Sequence, residues 1–214
     1  MVSLLCGLTI NFYAQTKIDT TVSFKGVQKG DLIFTAIPLD YDIKEDSSKT
    51  VFTDEKNLNF IHVSIADVEN DSVWIIDATL KRGVARYPLD TFLTDFTLKD
   101  GAHPVFFIMR LKKNKNVETY VENAKKFIGR AYDLDFNPLN NEKYCSELVR
   151  DSYVKPNGKK IFKQGPISFK NSDGTTPQYW ISLFQWFKRP IPEGILGTLP
   201  NSMIHENCIK KVNK

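Results

Sequence analysis

The sequence is poor in cysteine and histidine, with three of each in 214 residues, and that scarcity bounds its chemistry before any motif is considered. No Cys/His spacing of the zinc-binding kind is present, so neither a metal nor another cofactor is expected. Three cysteines are also too few for a disulfide framework. There is no internal repeat and no low-complexity block. Charge of one sign is lacking as well: 29 Lys+Arg against 25 Asp+Glu leaves a formal +4, too mild and too dispersed to indicate a nucleic-acid partner. The short run Lys112, Lys113 and Lys115 reads as a solvated connection. No apolar run is long enough to span a bilayer.

The longest apolar stretch, Val2 to Phe12, is followed by Tyr13-Ala14-Gln15. This is the pattern of the hydrophobic region and cleavage end of a secretory signal, although the usual preceding basic residues are missing; the alternative is a hydrophobic first strand. Residues 1–15 are therefore expected to be a signal remnant or lipoprotein leader, with Cys6 as a candidate lipid acceptor. The expected location is the periplasm or cell envelope, with at most a membrane tether through the N-terminus. Residues 16–214 are expected to form a single domain, since a 42% apolar composition can supply one real core at this length. With the leader removed, Cys145 and Cys208 remain. A disulfide between them is the alternative to two free thiols in an oxidising compartment.

Strand signals dominate the first half. Asp31 to Ile37 opens on Gly-Asp turn chemistry, Phe60 to Ala66 and Val73 to Ala78 flank a polar turn at 67–72, and Val84 to Tyr87 and Pro104 to Leu111 follow. Residues 40–57 read as a polar surface loop. Helical spacing comes later. It appears in Val117, Tyr120, Val121, Ala124, Phe127 and Ile128 before Gly129, in Ser146 to Val154, and in Trp180, Leu183, Phe184 and Phe187 after Pro177. The last stripe reads as core. Strands first and helices afterwards indicate an α+β fold: an antiparallel sheet or small barrel with helices packed on one side.

Cys145 opens one of these helices, in Tyr144-Cys145-Ser146-Glu147-Leu148-Val149. Free N–H groups and the dipole at a helix N-terminus favour a thiolate, the reactive form of cysteine. The same N–H groups can receive the oxyanion of a tetrahedral intermediate. The plainer alternative is a buried structural cysteine. A thiolate needs a base, and His62 lies in the alternating strand Ile61-His62-Val63-Ser64-Ile65, on the face opposite Ile61 and Val63. His103 and His205 read as surface residues. Asp77 ends the next strand and is a candidate to orient the imidazole, or else an ordinary strand-end acid.

Two blocks resemble the NlpC/P60 superfamily of papain-like cysteine peptidases and amidases. One runs from Ala124 through Gly129-Arg130-Ala131-Tyr132 to Tyr144-Cys145-Ser146-Glu147-Leu148-Val149. It is similar to that family's helix, turn and nucleophile helix. The other comprises Gly30-Asp31-Leu32-Ile33-Phe34, His62-Val63-Ser64-Ile65, Asp77-Ala78 and Gly83-Val84, and is similar to the family's strand series. His62 precedes Cys145, which is the order of the circularly permuted branch, the YiiX/YaeF-like amidases and peptidases. The resemblance implies Cys145 as nucleophile, His62 as base and Asp77 at the third polar position, where the family more often has histidine. It implies Tyr132 as a pocket tyrosine, with Tyr144 and Ser146 beside it as substrate-binding positions. Glu147 stands where the usual motif has glycine. Asp133 and Asp135 read as loop acids or cleft residues.

The activity implied is hydrolysis of an amide, in a cell-envelope peptide or an N-acyl amide, without metal or organic cofactor. Two alternatives stand beside it: action on an acyl lipid, as in the related lecithin-retinol-acyltransferase-like enzymes, and a binding domain without turnover.

Overall fold

The structure is a computed structural model that describes residues 24–43, 57–97 and 104–212. The leader with Cys6, most of the 40–57 loop and His103 lie outside the described residues.

The chain begins with β1 (Leu32–Pro38), β2 (Leu58–Glu69), β3 (Ser72–Thr79) and β4 (Gly83–Pro88), followed by α1 (Leu89–Asp95) and β5 (Val105–Leu111). The second half contributes α2 (Val117–Lys125), α3 (Cys145–Ser152), β6 (Gly165–Pro166), α4 (Gln178–Phe187), β7 (Leu196–Gly197), α5 (Pro200–Met203) and β8 (Ile209–Lys211). Six strands form one sheet in the order β4-β3-β2-β1-β5-β8, with every neighbouring pair antiparallel. The architecture is α+β.

The β2–β3 hairpin is tighter than the sequence indicates. Its polar turn shrinks to Asn70-Asp71, both with positive φ (49° and 61°), and the strands run on to Glu69 and Ser72. Paired left-handed residues match the twist of the flanking strands, and asparagine and aspartate tolerate that conformation. Both faces of the sheet are buried. Leu32, Phe34, Val63, Ile65 and Ile76 pack with Tyr120 and Val121 of α2, Leu148 and Val149 of α3 and Met203 of α5. On the reverse face Ile33, Ala66, Ile75, Tyr87, Phe106 and Ile108 pack with Phe92 of α1. A third, largely aromatic cluster joins α4 to the loops around α3 through Phe136, Phe169, Trp180 and Phe184.

Three local features fix the site. First, β1 pairs Thr35 with His62 but Ala36 with Phe60, so Ile61 is an extra, unpaired residue. This bulge explains why Phe60 and Val63, three positions apart, lie in the same core cluster despite the two-residue strand period. Second, Gly30 (φ +79°) packs so closely on α2 that a Cβ there would stand 2.9 Å from Val117 Cβ, and its carbonyl accepts from the Tyr153 hydroxyl at 2.9 Å just past α3. The start of β1 is thus locked to both helices. Third, the loop after α2 is stitched to β4 by Val84 N–H to Arg130 O and Gly129 N–H to Val84 O, each 2.8 Å. Gly83 passes under it, where a Cβ would meet Arg130 O at 2.3 Å. This contact sets the position of Tyr132.

Candidate active site

Antiparallel register assembles one half of the site. Ile65 pairs with Ile76, and extending the ladder by one step sets Asp77 beside Ser64, with His62 two residues on and facing the same way. His62 Nε2 lies 2.9 Å from Asp77 Oδ2, with the histidine 7% exposed and the aspartate 0%. A carboxylate only accepts, so Nε2 carries the proton and Nδ1 is the ring nitrogen left for a second partner.

That partner comes from α3. Cys145 lies close enough to His62 for its side chain to act on the charge of the ring. Burial alone would push the imidazole pKa down. The electrostatic interaction with Cys145 and the hydrogen bond that the ring donates to Asp77 outweigh it and push His62 up to about 10. The imidazole therefore carries its proton at neutral pH. Tyr144 caps α3 in extended conformation with no side-chain cap bond, which leaves the first-turn N–H groups at Cys145, Ser146 and Glu147 without intrahelical acceptors. Helix dipole and imidazolium both favour a negative charge at the sulfur.

Tyr132 faces this sulfur: burial and the charge of Cys145 push its hydroxyl pKa well up. Tyr179, at the start of α4, faces it too, raised first by burial and then by Cys145. Both are half-buried and, with half-buried Ile61, pack on the third core cluster. Tyr144 and Ser146 differ from expectation. Ser146 Oγ donates to Thr198 O at 2.8 Å, and Tyr144 Oη accepts from Thr198 N–H at 3.2 Å. Both residues are buried, at 0% and 2% exposure. Their hydroxyls are committed to the backbone between β7 and α5, so they anchor that segment instead of facing a substrate.

Glu147, the unusual acid two residues after Cys145, has a structural partner. Lys143 Nζ lies 3.0 Å from Glu147 Oε1 and 3.0 Å from Asp151 Oδ2, with the lysine and glutamate side chains 6% and 7% exposed. Burial pushes the Glu147 pKa up and Lys143 opposes it. Stripping the lysine from such a pair leaves a buried charge uncompensated. Lys143→Met is expected to lower the unfolding free energy by about 3 kcal/mol in urea titration, and Lys143→Met with Glu147→Leu to recover most of it. Asp133 is fully buried and accepts from Asp135 N–H at 3.0 Å, whereas Asp135 pairs with Arg189 on the surface. His205 is exposed and far from this chemistry in role, with its ring edge against Phe60. Cys145 and Cys208 are not joined in a disulfide.

Sequence reading missed Tyr87, Tyr179 and the Asn59 junction. Tyr87 donates to Asp77 from β4. Asn59 Oδ1 accepts from Trp180 Nε1 at 3.2 Å and Asn201 Nδ2 at 2.9 Å, tying α4 and α5 to the root of the histidine strand. Only the aromatic stripe after Pro177 gave any signal of this kind.

The family described as permuted papain-like amidase enzymes, YaeF/YiiX, C92, matches residues 26–213. The chain belongs to this family. The permuted papain-like fold and a cysteine-type amidase or hydrolase class follow at that level. Among individual relatives, the uncharacterised protein YiiX of Escherichia coli K12 is 23% identical over 169 residues, covering 77% of this chain and 75% of YiiX. A crystal structure of the metalloprotein yiiX from Escherichia coli O157:H7 superposes with a TM-score of 0.60 at 18% identity, covering 86% of this chain and 96% of that one. That title names a metal for the E. coli protein. Among the described residues here, no group of three or more His, Cys, Asp or Glu side chains is arranged to hold one. Asp77, for its part, is already engaged by His62 and Tyr87. Among the described residues the donor set does not fit a metal ion.

Proposed function

We propose that this permuted papain-like protein is a cysteine amidase in which Cys145 is the nucleophile, His62 the base and acid, and Asp77 the group that orients His62. The observation that carries the reading is the His62 ring itself, bonded to Asp77 at 2.9 Å and within electrostatic reach of Cys145.

The Cys145 sulfur attacks the amide carbonyl carbon, and the carbonyl electron pair moves onto oxygen, where the N–H groups of the first turn of α3 receive it. The tetrahedral intermediate collapses as the C–N bond breaks and His62 gives its proton to the leaving amine. A thioester remains. Water then attacks it, His62 takes the water proton, and the C–S bond breaks to release the carboxylic acid and restore the thiolate. Tyr132 and Tyr179 line the approach to the sulfur.

The substrate class we assign is a cell-envelope amide, peptide or N-acyl, met by an exported enzyme whose leader is the apolar stretch from Val2 to Phe12. An acyl-lipid or other apolar acyl substrate is the second reading. Half-buried Ile61, Tyr132 and Tyr179 favour it, because they pack on an aromatic cluster that includes Tyr144, the neighbour of Cys145 in the chain.

Iodoacetamide labelling below the ordinary thiol pKa tests the nucleophile: Cys145 is expected to react at least tenfold faster than Cys208, whose pKa burial pushes up. Release of amine from muropeptides, compared with N-acyl amides, then separates the two substrates. Equal, slow labelling of both cysteines would remove the hydrolase assignment.

A further inference from the structure

Asp77 is a fully buried carboxylate, and its two donors come from opposite neighbouring strands. His62 on β2 reaches Oδ2 at 2.9 Å, while the Tyr87 hydroxyl on β4 lies 2.8 Å from both Oδ1 and Oδ2. A hydroxyl has one proton, so Tyr87 bisects the carboxylate and resists its rotation. Tyr87 is 6% exposed and is itself fixed from behind. The Arg82 guanidinium sits 4.9 Å from the centre of its ring, and Arg82 Nε and Nη2 bond Asp95 of α1 at 3.0 and 2.6 Å. The same helix end sends Phe96 against the His62 ring, with centroids 5.0 Å apart.

We infer that Tyr87 is a positioning residue of this site: its hydroxyl holds the Asp77 carboxylate in the one orientation that keeps His62 Nε2 engaged and Nδ1 turned to Cys145. The inference rests on the Cys145–His62 reading above and extends it to a fourth residue, tied to the surface pair Arg82–Asp95. Chemically, Tyr87 makes a buried carboxylate tolerable without neutralising it. With the hydroxyl gone, one carboxylate oxygen has no donor, and the carboxylate relieves this by turning or by taking up a proton. Either response loosens its hold on the imidazolium.

The titratable and charged groups around this relay are few. His62 faces Cys145 from α3 and Asp77 from β3. Asp77 faces His62 and Tyr87, with Arg82 of the β3–β4 turn at longer range. Tyr87 faces Arg82 and Asp95. The sulfur is faced in addition by Tyr132 and Tyr179.

The experiment is an NMR titration of the His62 ring in the wild-type chain and in Tyr87→Phe, which keeps the ring and its packing. The His62 midpoint is expected to fall by about one pH unit, tenfold in its dissociation constant. In an Asp77→Ala background, where no carboxylate remains to be held, Tyr87→Phe is expected to move the midpoint no further. A lower melting temperature with an unmoved midpoint would make Tyr87 a packing residue and overturn the inference. So would an equal further change in the Asp77→Ala background. The Cys145 labelling rate in the wild-type chain is read separately, so that failure of the hydrolase reading is told apart from failure of this one.

Discussion

Cys145→Ser is expected to reduce kcat by about 10⁴-fold or more while leaving the chain folded and able to bind substrate. The geometry predicts this split because Cys145 has two separable roles. As a core residue it is 5% exposed at the edge of the cluster under α3, and serine is close to it in size, so the packing loss stays near 1 kcal/mol. In the proposed mechanism it attacks as a thiolate beside His62, and a serine hydroxyl at the same place stays neutral. The imidazolium then keeps only Asp77 as its counter-ion, and the pair that activates the sulfur is gone. The first-turn N–H groups of α3 remain, so the oxyanion site survives and residual binding should persist. Single-turnover kinetics with the wild-type chain and equilibrium binding with the variant would check both halves. Retained turnover in Cys145→Ser would place the chemistry elsewhere.

Much of this was legible before any coordinates. The alternation in residues 31–37, 60–66, 73–78, 84–87 and 104–111 is written in β-branched and apolar residues; three runs lie within observed strands, and 31–37 and 104–111 each start one residue before theirs. The three helices read from periodic spacing are present as α2, α3 and α4, because each buries a continuous stripe. Residues 89–95, 165–166, 196–197, 200–203 and 209–211 gave no readable period. Helix α1 begins directly after Pro88 and is only seven residues long, and the other four elements are shorter still. Elements this short are held by what they pack on and carry little signal of their own.

The same distinction applies within the site. The motif residues Cys145 and His62 stood out because their immediate neighbours define a helix start and a strand. The hydroxyls of Tyr144 and Ser146 turn to Thr198 because adjacency to Cys145 says nothing about direction: one step along a helix turns the side chain by about 100°. That rotation carries Ser146 from the sulfur to Thr198. Tyr87 was invisible for another reason. Its relation to Asp77 exists only once β4 pairs with β3 in the register Asp77–Ala85 and Ile75–Tyr87, and no local pattern encodes a register between strands.

His62→Gln is expected to lower kcat by about 10⁴-fold and to change how stability depends on pH, and the second effect identifies the first as loss of a charged base. In the folded chain burial works against the imidazolium, but Cys145 and Asp77 raise the ring from 6.5 to about 10. In the unfolded chain it returns to its ordinary value. Between those two values the folded state holds a proton that the unfolded state has released. Unfolding free energy therefore falls as pH rises across this window: the His62 contribution is complete below about 6.5 and gone above about 10. For a ring this enclosed the contribution amounts to several kcal/mol, because each tenfold gain in proton affinity is worth about 1.4 kcal/mol. Glutamine has no proton to hold, so urea titrations of His62→Gln at several pH values should show that slope removed. Activity follows the same proton. The wild-type rate should fall on the alkaline side as pH passes about 10, since a neutral imidazole has nothing to give the departing amine. A wild-type stability profile flat from neutral pH to that limb would mean that the ring is not charged between Asp77 and Cys145, and the proton path through His62 would be lost with it.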